Sequence, residues 1–352
     1  MRSFLHRTIN QIWATNYVPN SWKDAMLVTI YKNKGDRADC SNSRGIALLG
    51  TAGKVLARIL LKRLIGSVSE SLMPETLMEK TREQHRDVYI AFVDLSKAFD
   101  SVDREVLWKV LEKCGCPPRF TRVIRNLHDG MKLQVRYGGD VSEPFEVSRG
   151  VKQGCVLAPV LFNIYVQCIT RMLSALLDRD HQITLNYRTD RSLFDLQKLK
   201  AKPIVSNTNL LELQHADNCA LVASSAEKLQ HVLDLISRLY TRLGLKINVR
   251  KTEYIQYTSQ PQDFSPTLSI EGSALEKVQC FRYLGSNISS NCRLDDEINY
   301  RISKASSAFG RLNSMVFHDK NLKLNTKMQY ITHLLFHLCY MEVKPGHCTG
   351  GK

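Results

Sequence analysis

Residues 210–225 read LLELQHADNCALVASS. Two apolar runs flank a short polar turn, which is the pattern of a β-hairpin. The turn carries one carboxylate, Asp217, followed by an amide, Asn218. An acid at a hairpin tip suits metal chemistry when a second acid lies beside it.

A candidate for that second acid stands 123 residues upstream (217 − 94). VYIAFVDL, residues 88–95, is a nearly unbroken apolar run interrupted by Asp94, as expected of a strand buried on both faces. If the two segments are neighbours in one sheet, Asp94 and Asp217 meet at its edge. Such a pair can hold Mg²⁺, a hard cation that prefers oxygen ligands. Two such ions clamp the attacking and leaving oxygens in phosphoryl transfer. Three carboxylates are the usual supply of charge. Here there are two, plus the neutral amide of Asn218.

Outward from these segments, strands and helices are mixed. A strand is expected at about 25–31 and a helix over TAGKVLARILLKRLIGSV, residues 51–68. After Asp94 comes a helix with Ser101 or Asp103 as its cap and Gly115 as its stop. Pro117 and Pro118 open the next helix, and Gly138 and Gly139 mark a hairpin. A long helix is entered near Pro159, and residues 180–209 read as a polar insertion. AEKLQHVLDLISRLYTRLG, residues 226–244, is amphipathic. LKIN, TEYIQY, LSIEG and CFRYLGSNI read as short strands. The last strong helix has Ile298, Ile302, Ala305, Phe309, Leu312 and Val316 on its inward stripe and Arg301, Lys304 and Arg311 on another face.

Composition narrows the class. The 352 residues include 49 Lys and Arg against 34 Asp and Glu, a net charge of +15, which suits a polyanionic partner. Ten cysteines are scattered without a CxxC pair, a pattern of reduced thiols rather than of a secreted disulfide framework. The start, MRSFLHRTINQIW, has no signal-peptide pattern, and LLFHLCYM near the end is too short to span a bilayer, so no membrane partner is expected. His333 and His337 have i, i+4 spacing but no acid that completes a zinc motif.

AFVDLSKAFDSVDREVLW, GVKQGCVLAPVLFNIY, HADNCALVASS, GLKINVRKTEY and CFRYLGSNI occur in this order. Together they resemble the reverse transcriptase of non-LTR (LINE-type) retrotransposons. WKDAMLVTIYKNKGDRADCSNSRGIALLGTAGKVLARILLKRL resembles the start of the same domain, and the likeness runs over roughly residues 10–317. Each motif alone is weak; the ordered series is specific. The resemblance implies an α+β fold: fingers in residues 1–87, a palm with an antiparallel sheet backed by helices in 88–290, a helical basic thumb in 291–330 and a diverged tail in 331–352.

It also implies roles. Asp94 and Asp217 would hold two Mg²⁺ ions, and Phe99 would crowd a ribose 2′-OH and so favour deoxynucleotides. Gln153 and Gly154 would shape the pocket for the incoming nucleotide, with the glycine allowing close approach of the backbone. Lys251 would protonate the leaving pyrophosphate. Lys32, Lys34, Arg37 and Arg44 would grip the triphosphate. The implied reaction is transfer of a nucleotide from a deoxynucleoside triphosphate to a primer 3′-OH on an RNA template, in the nucleus or cytoplasm.

The sequence departs from the family pattern in several places. The hairpin is expected to read aromatic-Ala-Asp-Asp; here it is His215, Ala216, Asp217 and Asn218. Between Pro74 and Glu79 a fingers segment is shortened, and Ser43 stands where a tyrosine precedes the family's arginine. The family pattern fades after about Tyr330. These departures predict a degenerate or truncated copy with impaired polymerase activity. The alternative is a catalytically dead relic that binds nucleic acid non-specifically.

Overall fold

All of Val88–Val93 is buried in the computed structural model, because the strand they form is covered on both faces. The structure describes residues 2–33, 35–64, 87–188, 205–215, 217–258, 266–284, 286–291, 295–319 and 321–334. Lys34, Ala216, His337 and the shortened segment at 74–79 lie outside these residues.

The strands in chain order are β1 (Ala25–Tyr31), β2 (Ser43–Leu49), β3 (Val88–Asp94), β4 (Lys132–Tyr137), β5 (Asp140–Val141) and β6 (Phe145–Glu146). They continue as β7 (Ile183–Arg188), β8 (Val205–Leu210), β9 (Glu212–His215), β10 (Asn218–Ala223) and β11 (Glu253–Tyr257). Short pairs follow: β12 (Ser269–Ile270) with β13 (Ser273–Ala274), and β15 (Cys280–Tyr283) with β16 (Ser286–Ser289), while β14 (Glu276–Lys277) joins β11.

The central sheet has the order β14-β11-β3-β10-β9, and β3 runs antiparallel to both of its neighbours. Alternate residues of β3 serve two cores. Val88, Ile90 and Phe92 join Leu213, Ala220, Val222, Ile255, Tyr283 and Ile288 on one face. Tyr89, Ala91 and Val93 face the larger core, which includes the Ala158–Leu176 and Ala226–Arg242 helices. Each fully buried aliphatic side chain there contributes about 1.5–3 kcal/mol. By length and composition the Ala158–Leu176 helix could cross a membrane, but Leu161, Phe162, Tyr165, Ile169 and Leu173 are buried in this core.

A second sheet has the order β2-β1-β4-β5, with β6 also paired to β4. β1 is antiparallel to β2 and parallel to β4, so residues 25–49 share a sheet with residues 132–146.

Two differences from the sequence reading have physical causes. The polar insertion at 180–209 contributes a ribbon, β7 with β8, whose backbone pairs in register although its composition has little apolar alternation. The Asp295–Leu312 helix does not bury its whole apolar stripe. Ile298, Ile302 and Phe309 are exposed, Ile302 at 54%, and Val316 beyond the helix is buried. Amphipathic spacing identifies a stripe but not whether another element covers it.

Candidate active site

The hairpin of β9 and β10 brings its turn beside the end of β3. Asn218 is the register partner of both His215 and Asp94. Asp217 precedes Asn218 in the turn, so its carboxylate and that of Asp94 lie at one sheet edge. The two acids sense each other electrostatically. Burial, and then the charge of Asp217, push the Asp94 pKa upward, whereas Lys251 and the Asn248 side chain pull it down.

Backbone contacts hold Asp94 in place. Its N–H donates to Thr252 Oγ1 at 3.3 Å, and its carbonyl accepts the Asn248 N–H at 2.8 Å. Leu95 bridges Ile247, so the LKIN segment meets the end of β3 as a single bridge rather than as a strand. The short helical turn Val249–Lys251 then brings Lys251 Nζ to 3.7 Å from Asp94 Oδ2. Tyr283, from the CFRYLG motif, braces the hairpin from the other side. Its hydroxyl lies 2.9 Å from the Leu213 carbonyl oxygen and 3.2 Å from that of Asn218.

Phe99 lies in the short Ala98–Ser101 helix after β3. Its ring is partly buried and meets Phe162 at 4.8 Å between centroids. Gln153 and Gly154 reach the same neighbourhood through the loop of residues 147–155. Val151 N donates to the Phe99 carbonyl at 2.8 Å, and Ala47 N in β2 donates to the Gln153 carbonyl at 2.7 Å. This loop therefore ties the Phe99 turn to the second sheet. Gly154 has φ +106°, and a Cβ there would lie 2.7 Å from Ile46 Cγ2 and 2.8 Å from the Ala47 oxygen. The close approach it permits is to β2.

Arg44 is exposed on β2, opposite Ile30 of β1, and Lys32 is exposed just beyond β1. Arg37 lies over the Tyr31 ring at 5.2 Å. These cations belong to the second sheet and its connecting loop. Asp94, Asp217 and Lys251 cluster at the first.

Sequence reasoning missed several supporting residues. Gly150 has φ +78°, and a Cβ there would meet Asp100 Cα and the Phe99 oxygen at 2.7 Å. Two glycines four positions apart in a polar loop, at 150 and 154, were the available signal. Asn248 and Thr252 flank Lys251 and carried no pattern that marked them as props for Asp94.

The acids are oxygen donors at one edge, the Asp94 pKa is raised by burial and then by the charge of Asp217, and the pair fits a divalent cation in chemistry. They are sparse in charge: among the described residues, no group of three or more His, Cys, Asp or Glu could hold a metal. The register explains the shortfall, because the position directly across from Asp94 is an amide.

The sequence model for reverse transcriptase (RNA-dependent DNA polymerase) matches residues 30–288. The chain is 27% identical to the Pol polyprotein of the type-2 retrotransposable element R2DM of Drosophila melanogaster, over 65% of this chain and 20% of that protein. It is 22% identical to the RNA-directed DNA polymerase of the mobile element jockey of the same species, over 94% of this chain and 36% of that protein. The chain thus spans between a fifth and just over a third of these relatives. A solved telomerase from Candida tropicalis, in complex with a fragment of telomeric RNA, has a similar fold, with TM-score 0.51 and 12% identity over 94% of this chain and 56% of that one. Members of the matched family generally use divalent metal ions and nucleic-acid templates. The chain belongs to the reverse transcriptase (RNA-dependent DNA polymerase) family, with a domain of the non-LTR retrotransposon kind.

Proposed function

We propose that this chain is the polymerase core of an RNA-directed DNA polymerase whose nucleotidyl transfer is weakened at the metal site. The observation that carries this reading is the pairing of Asn218 with Asp94. An acid at 218 would face Asp94 and complete a triad with Asp217. Magnesium, when bound, would supply the positive charge that draws the primer 3′-oxygen and the α-phosphate together.

The remaining assignments concern the chain's own side chains. Asp94 and Asp217 would hold the cations. Phe99, stiffened by Phe162, excludes a ribose 2′-hydroxyl. Gln153 and Gly154 form one wall of the nucleotide pocket. Lys32, Lys34 and Arg44 draw in the triphosphate. Lys251 delivers a proton to pyrophosphate from its place beside Asp94. RNA template, DNA primer and deoxynucleoside triphosphates are the partners. Residues 1–87 act as fingers, residues 88–290 as the palm and residues 291–330 as a thumb, with β4 of the palm stretch pairing with β1 of the fingers.

Primer extension on an RNA template with magnesium tests the reading. The unaltered protein should extend slowly, Asn218→Asp should raise the rate by about tenfold or more, and Asp94→Ala should abolish extension. Extension that persists in Asp94→Ala would overturn the site. A folded Asn218→Asp protein that remains inert but binds nucleic acid in a salt-sensitive way would favour the second reading, a non-polymerising relic. That reading draws on the absence of a third metal-site acid among the described residues.

A further inference from the structure

Behind the Gln153–Gly154 turn lies a group of buried basic side chains that none of these roles uses. Lys152 is 2% exposed, and no described carboxylate forms an ion pair with it. Its Nζ donates to the Lys23 and Leu127 carbonyls, each at 2.6 Å. Lys23 ends the short helix before β1, and Leu127 lies in the last turn of the Pro118–His128 helix. Carbonyls there lack intrahelical partners, and the helix dipole favours a cation.

Arg104 is buried beside it. It donates to the carbonyls of His128, Val147, Arg149 and Gly150 at distances of 2.8–3.1 Å. His128 is buried near both. Burial first, and then the charges of Lys152 and Arg104, lower its pKa to about 3, so its imidazole is neutral. The loop that carries Gln153 is thus held from behind by two basic side chains and from the front by β2.

Burying an amine with no carboxylate in contact is unfavourable, the charge of Asp24 offsets only part of that cost, and a methionine would fill the same slot without it. What lysine adds is a pair of hydrogen bonds that join separate elements. Burial lowers its pKa to about 7, and the amine keeps at least two N–H donors in either protonation state.

We infer that Lys152 is a positioning residue that pins the nucleotide loop to the entry of β1 and to the end of the Pro118–His128 helix, and so sets where Gln153 and Gly154 stand. The nucleotide role of the loop rests on the proposed function; the pin itself does not.

Amide hydrogen exchange tests the pin without requiring polymerisation. In the unaltered protein, the hydrogen-bonded loop amides of Gly150, Val151 and Cys155 should exchange as slowly as that of Ala47 in β2. In Lys152→Met, exchange of these loop amides and of Ala47 should rise by about tenfold, with β3 and β10 unchanged. In an Asn218→Asp background, Lys152→Met should raise KM for the nucleotide by about fivefold and change kcat little. Fast exchange of the loop in the unaltered protein, or unchanged exchange in a folded Lys152→Met, would overturn the inference, as would a loss confined to kcat. Should Lys152→Met fail to fold, the unaltered protein decides. An inert Asn218→Asp protein would count against the proposed polymerase, and exchange would still judge the pin.

Discussion

At the scale of single residues, the main result is that an amide occupies the position opposite an acid. Asn218 pairs with Asp94 in register, and Asp217 sits one residue away at the turn. Replacing Asn218 by Asp adds a charge next to two others. Divalent-ion affinity, measured by calorimetry in the absence of nucleotide, should therefore rise by about tenfold or more. Gly154 is a second point where one atom matters. A methyl group there would press on Ile46 and the Ala47 carbonyl in a backbone conformation that L-residues avoid. Gly154→Ala should cost about 1–3 kcal/mol, read as a lower midpoint in thermal or urea unfolding. The sequence disclosed both residues as a motif. It did not disclose that the glycine's close neighbour is a strand of the same protein, because β2 lies more than a hundred residues upstream (154 − 49 = 105).

At the scale of elements, the hairpin that carries the site is braced from both sides of its sheet. Tyr283 reaches the Leu213 and Asn218 carbonyls, so Tyr283→Phe should destabilise by about 1 kcal/mol and loosen the turn, as seen by exchange of the β9 and β10 amides. Glu212, at the start of β9, gives the sheet a pH response. Burial pushes its pKa up to about 7, against a smaller opposing effect of Thr170. The folded state then holds a proton that the unfolded chain releases near its ordinary value of 4.5. Its contribution therefore favours folding at low pH and is lost as pH rises from about 4.5 to about 7. Glu212→Gln should raise the melting temperature at pH 8 and change it little at pH 4. Helix ends were easier to foresee. Of the two caps the sequence offered, Ser101 and Asp103, it is Asp103 that caps the helix, accepting the Val106 N–H at 3.1 Å, and Gly115 adopts the positive φ of a helix stop.

At the scale of the whole molecule, a charge of +15 should govern association with nucleic acid. Affinity for a duplex, measured by fluorescence anisotropy, should fall linearly with the logarithm of salt concentration and vary little with sequence. The strands at 25–31 and 88–94, the acidic hairpin and the amphipathic helix after it were legible in the sequence, since local periodicity and turn chemistry decide them. The order of the motifs was legible too, and with it the family. Register, by contrast, belongs to two strands at once, so only the folded sheet could place Asn218 rather than Asp217 directly across from Asp94. Burial likewise depends on what packs above a residue. Lys152 and Arg104 look like surface charges in a polar stretch and are interior, while Ile302 looks like core and is exposed. A one-dimensional pattern records which side chains are apolar and how they are spaced; which neighbour covers them is settled only when distant segments meet.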